Sequence, residues 1–226
     1  SNATGTDTAQ IQSVFMNASR KMYLDCGYSS EDFKKRFEKS LTKEHLDIYS
    51  KNIDTLSKNE MFLVAKCNNF IVAVLYVEKS KHNILHAMYV LPEFQGKGVG
   101  LMLWNKAMQF IDMSKDTVLD VFSCNTPAIK FYKKIGFNFS GKKTISDTFP
   151  SESGVCIEES EMILKSRLKI YLSLLGIISL ICSRVIFMFI DDPEGPNLFI
   201  VIVLAFILYF SSLVIFKLIS YLVGKL

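Results

Sequence analysis

The charged residues of this chain are distributed very unevenly, and this feature constrains its folding more than any other. The sequence has 226 residues, of which 21% are charged, yet the stretch from Ile170 to Leu226 is almost entirely apolar. Residues 4–165 have the mixed composition of an ordinary globular domain. The chain therefore divides into two parts. The charged residues of the apolar part are Arg184, Asp191, Asp192, Glu194, Lys217 and Lys225.

The apolar part contains two stretches that are long enough to cross a bilayer as helices. Residues 170–190 carry one charge, and residues 198–216 carry none. At about 1.5 Å per residue, roughly 20 residues span the ~30 Å hydrocarbon core. The acidic linker at 191–197 contains prolines and a glycine, which favour a turn. Residues 166–226 are therefore predicted to form a transmembrane helical hairpin, and the alternative is a buried hairpin in a soluble protein.

The charges that flank the two stretches predict an orientation. Lys165, Arg167 and Lys169 precede the first stretch, and Lys217 and Lys225 follow the second. Basic flanks stay on the cytoplasmic side. We therefore expect an integral membrane protein whose globular domain and C-terminus are cytoplasmic, with the acidic linker on the opposite side. The expected partners of the hairpin are the lipid bilayer and a second copy of the chain.

The part before the hairpin is predicted to be one mixed α/β domain at residues 4–165, after a remnant of an expression tag at residues 1–3. Helical spacing of apolar residues predicts three N-terminal helices. Two β-rich runs then flank Asn68-Asn69, a pair that tolerates the positive φ of a tight turn. Strands and helices alternate afterwards. The expected elements are strand 84–91, helix 98–113, strand 117–124, a helix capped by Thr126 and strands 137–141 and 155–164.

Charge and cysteine content exclude several classes of protein. The net charge is +4, and the chain lacks a Lys/Arg-rich run of the kind that a phosphate-binding face shows, so no nucleic-acid partner is expected. The five cysteines are scattered, and none lies at metal-ligand spacing from another cysteine or a histidine. We therefore expect no metal site and no disulfide framework. Free cysteines fit a reducing compartment.

A glycine-rich turn joins the predicted strand 84–91 to the predicted helix 98–113. It reads Gln-Gly-Lys-Gly-Val-Gly at residues 95–100. Glycines let backbone N–H groups approach a ligand closely, and a helix N-terminus adds the positive end of its dipole. The turn is therefore a candidate pyrophosphate site. It matches neither the dinucleotide fingerprint nor the P-loop, and a merely tight strand-to-helix turn is the alternative.

Two spaced motifs make the chain resemble the GNAT-type N-acetyltransferases. The first is Q-x-x-G-x-G at residues 95–100, after a strand, and it looks like the acetyl-CoA pyrophosphate loop of that family. The second is N-x-x-A-x-x-F-Y-x-x-x-G-F at residues 125–137, which looks like the family segment beside the thioester. The resemblance covers about residues 61–164. It implies a GNAT-like splayed sheet in which the pantetheine arm of acetyl-CoA fills a gap between two strands.

The resemblance also implies which residues bind acetyl-CoA. The backbone groups of Met88 and Val90 would pair with the pantetheine arm, and Asn125 would contact it. The backbone N–H groups of the glycine-rich turn would hold the phosphates. These residues are Gln95, Gly96, Lys97, Gly98, Val99, Gly100 and Leu101.

Acetyl transfer to an amine needs a base for the ammonium proton and an acid for the departing thiolate. Tyr132 matches the family tyrosine that protonates the thiolate, although its helical spacing also fits a core residue. Many family members carry a glutamate where this chain has Ile84. By strand alternation, His86 should share a face with Ile84 and Met88, so His86 is a candidate base or else a structural histidine.

The sequence therefore predicts a membrane-anchored, acetyl-CoA-dependent N-acetyltransferase that acts on an amine acceptor by direct attack and needs no metal. One alternative is a non-catalytic acyl-CoA-binding sensor or scaffold, which the missing glutamate keeps open. Another is that the hairpin itself is the functional part. The resemblance also suggests that the first strand of the family is absent or reduced to residues 4–6.

Overall fold

The computed structural model of the chain describes residues 1–146, 156–166, 171, 173–181, 184 and 198–223. By its internal contacts the chain divides into two units, Ser1–Leu164 and Lys165–Leu226. The first unit contains both motifs that the sequence analysis identified.

Three helices open the first unit, as the apolar spacing predicts. The second helix is capped by Ser29, whose Oγ accepts a hydrogen bond from the Asp32 N–H at 3.0 Å. The third is capped by Thr42, whose Oγ1 accepts from the His45 N–H at 3.4 Å. Such caps satisfy N–H groups that have no partner within the helix. The helices are α1 (Thr8–Asp25), α2 (Ser30–Ser40) and α3 (Lys43–Asp54).

Six strands form one mixed sheet in the order β1-β2-β3-β4-β6-β5. The first two form the predicted hairpin, and its turn residues Asn68 and Asn69 have φ of 48° and 68°. β3 and β4 are parallel, and the other neighbouring strands are antiparallel. The strands are β1 (Glu60–Cys67), β2 (Phe70–Lys79), β3 (Asn83–Val90), β4 (Thr117–Phe122), β5 (Asn138–Ile145) and β6 (Glu158–Leu164).

Helices cover both faces of the sheet, so the predicted mixed α/β class is confirmed. On one face α4 (Val99–Ala107) and α5 (Thr126–Lys134) bury a cluster that includes Trp104 and Phe137. On the other face α1 and α3 pack on residues such as Phe62 and Val74. An aromatic cluster of Tyr23, Tyr28, Phe33, Phe37, Phe122 and Ile157 joins α1 and α2 to the end of β4.

The N-terminal residues lie along the free edge of β1. The Ala3 N–H donates to the Phe62 carbonyl at 2.8 Å, and the Val64 N–H donates to the Ser1 carbonyl at 2.9 Å. Residues 4–6 do not form the reduced strand that was expected. Instead, Thr4 begins a short 3-10 helix at Gly5–Asp7, because the Asp7 carboxylate accepts hydrogen bonds from its backbone and its hydroxyl.

The predicted transmembrane hairpin is not supported. In the second unit residues 173–181 are helical and α6 covers Leu198–Val223, with its side chains described at 203 and 205–217. Residues 170, 172, 182, 183 and 185–190 of the first predicted span and the linker at 191–197 lie outside the described residues. Among the described residues, no helix combines the length and the apolarity that a bilayer crossing requires.

This finding contradicts the predicted integral membrane localisation, with its cytoplasmic domain and its linker on the opposite side. A run of apolar residues is necessary for a membrane span, but a span also needs a continuous apolar helix of sufficient length. The lipid bilayer as a partner and a homo-oligomer through the hairpin are likewise unsupported.

A disulfide joins Cys26 to Cys124, whereas the sequence analysis expected free cysteines. Their Cα atoms lie 5.7 Å apart, within the usual range for a disulfide. The bond ties the end of α1 to the residue before the cap of α5. The pair could not be found from spacing, because 98 residues separate the two cysteines and only the fold brings them together. Among the described cysteines, Cys67 and Cys156 are exposed and lie outside the disulfide.

The disulfide gives a prediction about stability. Under oxidising conditions, Cys26→Ser should lower the free energy of unfolding by about 2–4 kcal/mol, because the unfolded chain regains the entropy of the loop that the bond closes. Denaturant unfolding with and without a reductant measures this loss. Cys67→Ser, which replaces an exposed free cysteine, is the matched control. A loss of the same size in the reduced protein would show that the bond is not its cause.

Candidate active site

The two parallel strands at the centre of the sheet separate after a short contact. In the described sheet, β3 pairs with β4 only at Asn83 and Ile84, although β3 continues to Val90 and β4 continues to Phe122. The remaining residues of β3 therefore leave an open gap toward β4. This is the splayed arrangement that the sequence motifs predict.

A buried asparagine fastens the closed end of the gap. Asn83 is fully buried, and its Nδ2 donates to the Asp112 carbonyl at 2.8 Å while its Oδ1 accepts from the Asp112 N–H at 2.9 Å. Its own N–H donates to the Asp116 carbonyl at 3.0 Å. These bonds fix the start of β3 to the loop before β4. The two strands therefore separate only beyond Ile84, toward their C-terminal ends.

The backbone of β3 presents polar groups to the gap. The Leu91 N–H donates to the Val72 carbonyl of β2 at 2.9 Å. Because hydrogen-bonding direction alternates along a strand, the backbone groups of Met88 and Val90 face the opposite edge. The side chain of Gln95 lies at this edge, where its Nε2 donates to the Val90 carbonyl at 2.9 Å. The fold therefore places the predicted pantetheine-binding residues beside the gap.

The glycine-rich turn lies at the open end of β3 and leads into α4. Gly96 and Gly98 have φ of 72° and 83°, where other residues are strained, and a Cβ on either would meet nothing within 4 Å. Gly98 is the N-cap of α4, so the N–H groups of the first turn have no partner within the helix. The φ of Gly100 lies outside this left-handed range, and a Cβ on Gly100 would lie 3.5 Å from the Phe131 ring.

This turn has the features that a phosphate group needs. The segment from Gln95 to Gly98 is exposed, and it leads into the N–H groups of the first turn of α4 and the positive end of the helix dipole. The Gln95 N–H itself donates to the Pro92 carbonyl at 3.2 Å. Lys97 adds a charge, with its Nζ 5.5 Å from the centroid of the Phe94 ring. The predicted phosphate-binding residues are therefore brought together in one place.

Asn125 begins the second motif and acts as the N-cap of α5. Its Oδ1 accepts a hydrogen bond from the Ala128 N–H at 3.2 Å. The predicted cap, Thr126, is instead the first residue of the helix, and Pro127 follows it. Gly136, with φ of 102°, lies just past the end of α5, as predicted. The structure thus gives Asn125 a capping role, and its contact with a ligand stays a prediction.

Tyr132 projects from α5 into the core cluster that contains Met88 and Val90. It is 8% exposed, and its ring packs against Phe137 at a centroid distance of 5.8 Å. Burial raises the pKa of its hydroxyl well above the ordinary range, with a smaller contribution from Tyr89. The hydroxyl therefore keeps its proton at neutral pH, which is the form that a proton donor needs.

Two further residues were missed in the sequence, Tyr89, which acts on Tyr132 electrostatically, and Arg36, which acts on Tyr89. Tyr89 lies on β3, its ring meets Phe15 edge-on at 5.1 Å, and burial raises its pKa. Arg36, from α2, lies 5.7 Å from the Tyr23 ring and lowers the pKa of Tyr89 electrostatically. No motif marks these residues, because they come from separate elements that meet only in the folded chain.

His86 occupies a β-bulge, and this corrects its predicted orientation. Ala87 lies opposite Tyr76, but Leu85 already lies opposite Val77, so His86 is an extra residue in β3. A bulge shifts the alternation of side chains by one residue. His86 consequently shares the face of Ile84, as expected, but not the face of Met88, which packs in the cluster on the other side of the sheet.

The imidazole of His86 is held by neighbours on β1 and β2. Its Nε2 lies 2.8 Å from Oε2 of Glu78, and its ring stacks on Tyr76 at 4.8 Å with an interplanar angle of 22°. The Tyr76 hydroxyl donates a short hydrogen bond to Glu60, and the Tyr76 ring stacks on Phe62 at 5.4 Å. Burial and the Glu60 carboxylate raise the pKa of Tyr76, and its hydrogen bond lowers the pKa of Glu60.

The described residues contain no group of three or more His, Cys, Asp and Glu side chains placed to hold a metal ion. The arrangement instead offers a strand gap with backbone groups at its edge, a phosphate-binding turn at its open end, a protonated tyrosine and a histidine.

Solved structures with a similar fold are acetyltransferases. One is the PaiA N-acetyltransferase of Thermoplasma acidophilum in complex with coenzyme A, with a TM-score of 0.55 and 18% identity over 73% of this chain and 96% of that chain. Another is a GNAT-family acetyltransferase of Streptococcus pneumoniae, with a TM-score of 0.51 and 21% identity over 73% of this chain and 97% of that chain. At these identities the likeness shows the fold.

Two sequence relatives match shorter segments. An uncharacterized N-acetyltransferase of Methanocaldococcus jannaschii is 31% identical over 78 residues, which are 34% of this chain and 33% of the relative. A peptidyl-lysine N-acetyltransferase of Salmonella typhimurium is 32% identical over 63 residues, which are 28% of this chain and 41% of the relative. The chain thus spans well under two thirds of the length of these curated relatives.

The family model described as "Acetyltransferase (GNAT) family" matches residues 17–137, more than half of the chain. The matched segment includes the strand gap, the glycine-rich turn and Tyr132. At the level of the family, this match confirms the resemblance to the GNAT-type acetyltransferases that the two sequence motifs indicate. The chain belongs to the acetyltransferase (GNAT) family.

Proposed function

We propose that this chain transfers the acetyl group of acetyl-CoA to the nitrogen of an amine acceptor. The observation that carries the proposal is the gap between β3 and β4, with the glycine-rich turn at its open end. A long ligand with a phosphate group at one end and a reactive thioester at the other fits this arrangement.

The residues around the gap suit acetyl-CoA. The pantetheine arm contains amides that can bond to the backbone groups of Met88 and Val90, much as a neighbouring strand would. The pyrophosphate would be held by the N–H groups at the start of α4, beside Lys97. The thioester would then lie within the sheet, between the two faces that carry His86 and Tyr132.

The reaction is a direct transfer that needs no protein nucleophile. The amine nitrogen attacks the thioester carbonyl carbon, a carbon–nitrogen bond forms and the carbon–sulfur bond breaks. His86 takes the proton that the nitrogen loses, and Tyr132 donates its hydroxyl proton to the departing sulfur. His86 is exposed on one face of the sheet and is thus accessible to the acceptor, whereas Tyr132 is buried with the cofactor on the other.

The acceptor is an amine, and the comparisons suggest one class. The name of the Salmonella typhimurium relative states that it acts on peptidyl-lysine. A lysine side chain or a small primary amine would reach His86 from the exposed face of the sheet. Release of free coenzyme A, measured against a panel of lysine peptides and small amines, tests the activity. Binding of acetyl-CoA without release for any amine would favour the non-catalytic acyl-CoA-binding module, which the isoleucine at position 84 makes the second candidate.

Cofactor binding is tested at the glycine-rich turn. Gly98→Glu should abolish measurable acetyl-CoA binding, because it strains a backbone with φ of 83° and adds a negative charge beside the phosphates. Gly141→Glu is the matched control, since Gly141 has φ of 92° with no neighbour within 4 Å of its Cβ and lies on β5. Calorimetry on both folded variants gives the affinities. Equal affinities for the two variants would contradict the assignment.

The proton donor is tested by removing one oxygen. Tyr132→Phe should lower kcat by roughly 100-fold and leave the acetyl-CoA affinity nearly unchanged, because only the transition state needs the proton. Since burial raises the pKa of Tyr132, the wild-type kcat should not decline between pH 7 and 9 through loss of this proton. Tyr28→Phe, in the separate aromatic cluster, controls for the loss of a buried hydroxyl. A loss of stability without a specific loss of kcat would indicate a core role instead.

The base is tested by a substitution at the bulge. His86→Gln should lower kcat/KM by about tenfold or more near pH 7, and the loss should shrink at high pH, where more of the acceptor amine is already neutral. His82→Gln, at an exposed histidine just before β3, is the control. The ratio of the variant rate to the wild-type rate is measured across pH. A ratio that does not change with pH would count against the base role.

A further inference from the structure

We infer that Glu78 is a positioning residue for His86. Glu78 holds the imidazole in the tautomer whose Nδ1 accepts the proton of the acceptor amine. The inference rests on the proposed function, in which His86 is the base. It concerns a residue on a different strand, outside both sequence motifs.

The hydrogen bond between the two side chains fixes which nitrogen of His86 is protonated. A carboxylate can only accept a hydrogen bond, so the Nε2–H of His86 donates to Oε2 of Glu78 over 2.8 Å. In the neutral ring, Nδ1 then carries the lone pair. A base that exchanges freely between tautomers would present the correct nitrogen only part of the time.

The plane of the ring is fixed independently of this bond. His86 stacks on Tyr76, which in turn stacks on Phe62, so three rings lie in a row across β3, β2 and β1. Tyr76 is itself held by its hydrogen bond to Glu60, and Phe62 is buried. One contact therefore sets the plane of the imidazole and another sets its tautomer.

The pair lies where the acceptor arrives. The side chains of His86 and Glu78 are 36% and 31% exposed, so a substrate and water can reach them. A side-chain pair this exposed adds little to stability. His86 lies on the face of Ile84, which pairs with Glu78, and bulges of this kind are common next to active sites.

The charged and titratable groups around His86 come from three elements. Glu60 lies on β1, Tyr76 and Glu78 lie on β2, and Tyr49 of α3 acts on Tyr76 electrostatically. Glu78 is the group that bonds directly to the imidazole. Removing its carboxylate therefore removes the acceptor that fixes the tautomer of the ring.

The direct test reads the tautomer of His86 without an assay of activity. Two-bond nitrogen–proton spectra of the full chain at pH 8 distinguish the two tautomers, and the chain has three histidines, so His86→Gln assigns the signal. We expect the Nε2–H tautomer in the wild type and a mixture in Glu78→Gln. Glu38→Gln, at an exposed helical ion pair, should match the wild type. The same tautomer in the wild type and in Glu78→Gln would overturn the inference.

The kinetic test uses the same variants. Glu78→Gln should lower kcat/KM about tenfold with the acetyl-CoA affinity unchanged, and Glu78→Asp should recover part of the rate. In a His86→Gln background the Glu78→Gln substitution should cause no further loss, since the two residues act as a unit. Additive losses, or no recovery in Glu78→Asp, would overturn the role of Glu78 while leaving the proposed transfer intact. Failure of the wild type to release coenzyme A with any amine would reject the transfer, and the tautomer spectra would still decide whether Glu78 holds the ring.

Discussion

The rest of the site depends on one constraint, which is that β3 and β4 are bonded at one end only. The buried side chain of Asn83 ties the start of β3 to the loop before β4, so the strands cannot separate there. The bulge at His86 follows within a few residues, and a bulge bends a strand and increases its local twist. The two features together make the gap a fixed part of the sheet.

The gap in turn shows where the proposed ligand can bond. Backbone groups in a sheet interior normally bond to a neighbouring strand. Met88 and Val90 have their neighbours in β2 on one side, and on the other they face the gap, where the Val90 carbonyl accepts from the Gln95 side chain. In the proposed function, the amides of a pantetheine arm bond to this edge of β3. The glycine-rich turn follows directly, so one ligand can satisfy both the strand edge and the helix N-terminus.

A structural feature could be predicted from the sequence where residues that are neighbours in the chain determine it. The hairpin at Asn68 and Asn69, the caps at Thr42 and Gly98 and the two motifs are set by neighbouring residues, and all could be found by reading along the chain. The placement of His86 and Met88 on opposite faces could not be found in this way, because the bulge appears only when β3 pairs with β2. Glu78 and Glu60 carry no motif, and the partner of Cys26 is 98 residues away. The transmembrane prediction from the apolar C-terminal stretches was wrong, because composition alone does not establish a membrane span.

Within the part of the sheet that the structure describes, β3 and β4 do not pair at the open end of the gap, and side-chain packing and one covalent bond hold the elements around it. Phe122, at the end of β4, packs against Tyr23 at a centroid distance of 5.6 Å, and Tyr23 also contacts residues of α2. The disulfide lies just beyond, between the end of α1 and the residue before the cap of α5. The helices on the His86 face are therefore joined to the helix that carries Tyr132. Because the proposed base and acid lie on opposite faces, their separation depends on this junction as much as on the sheet.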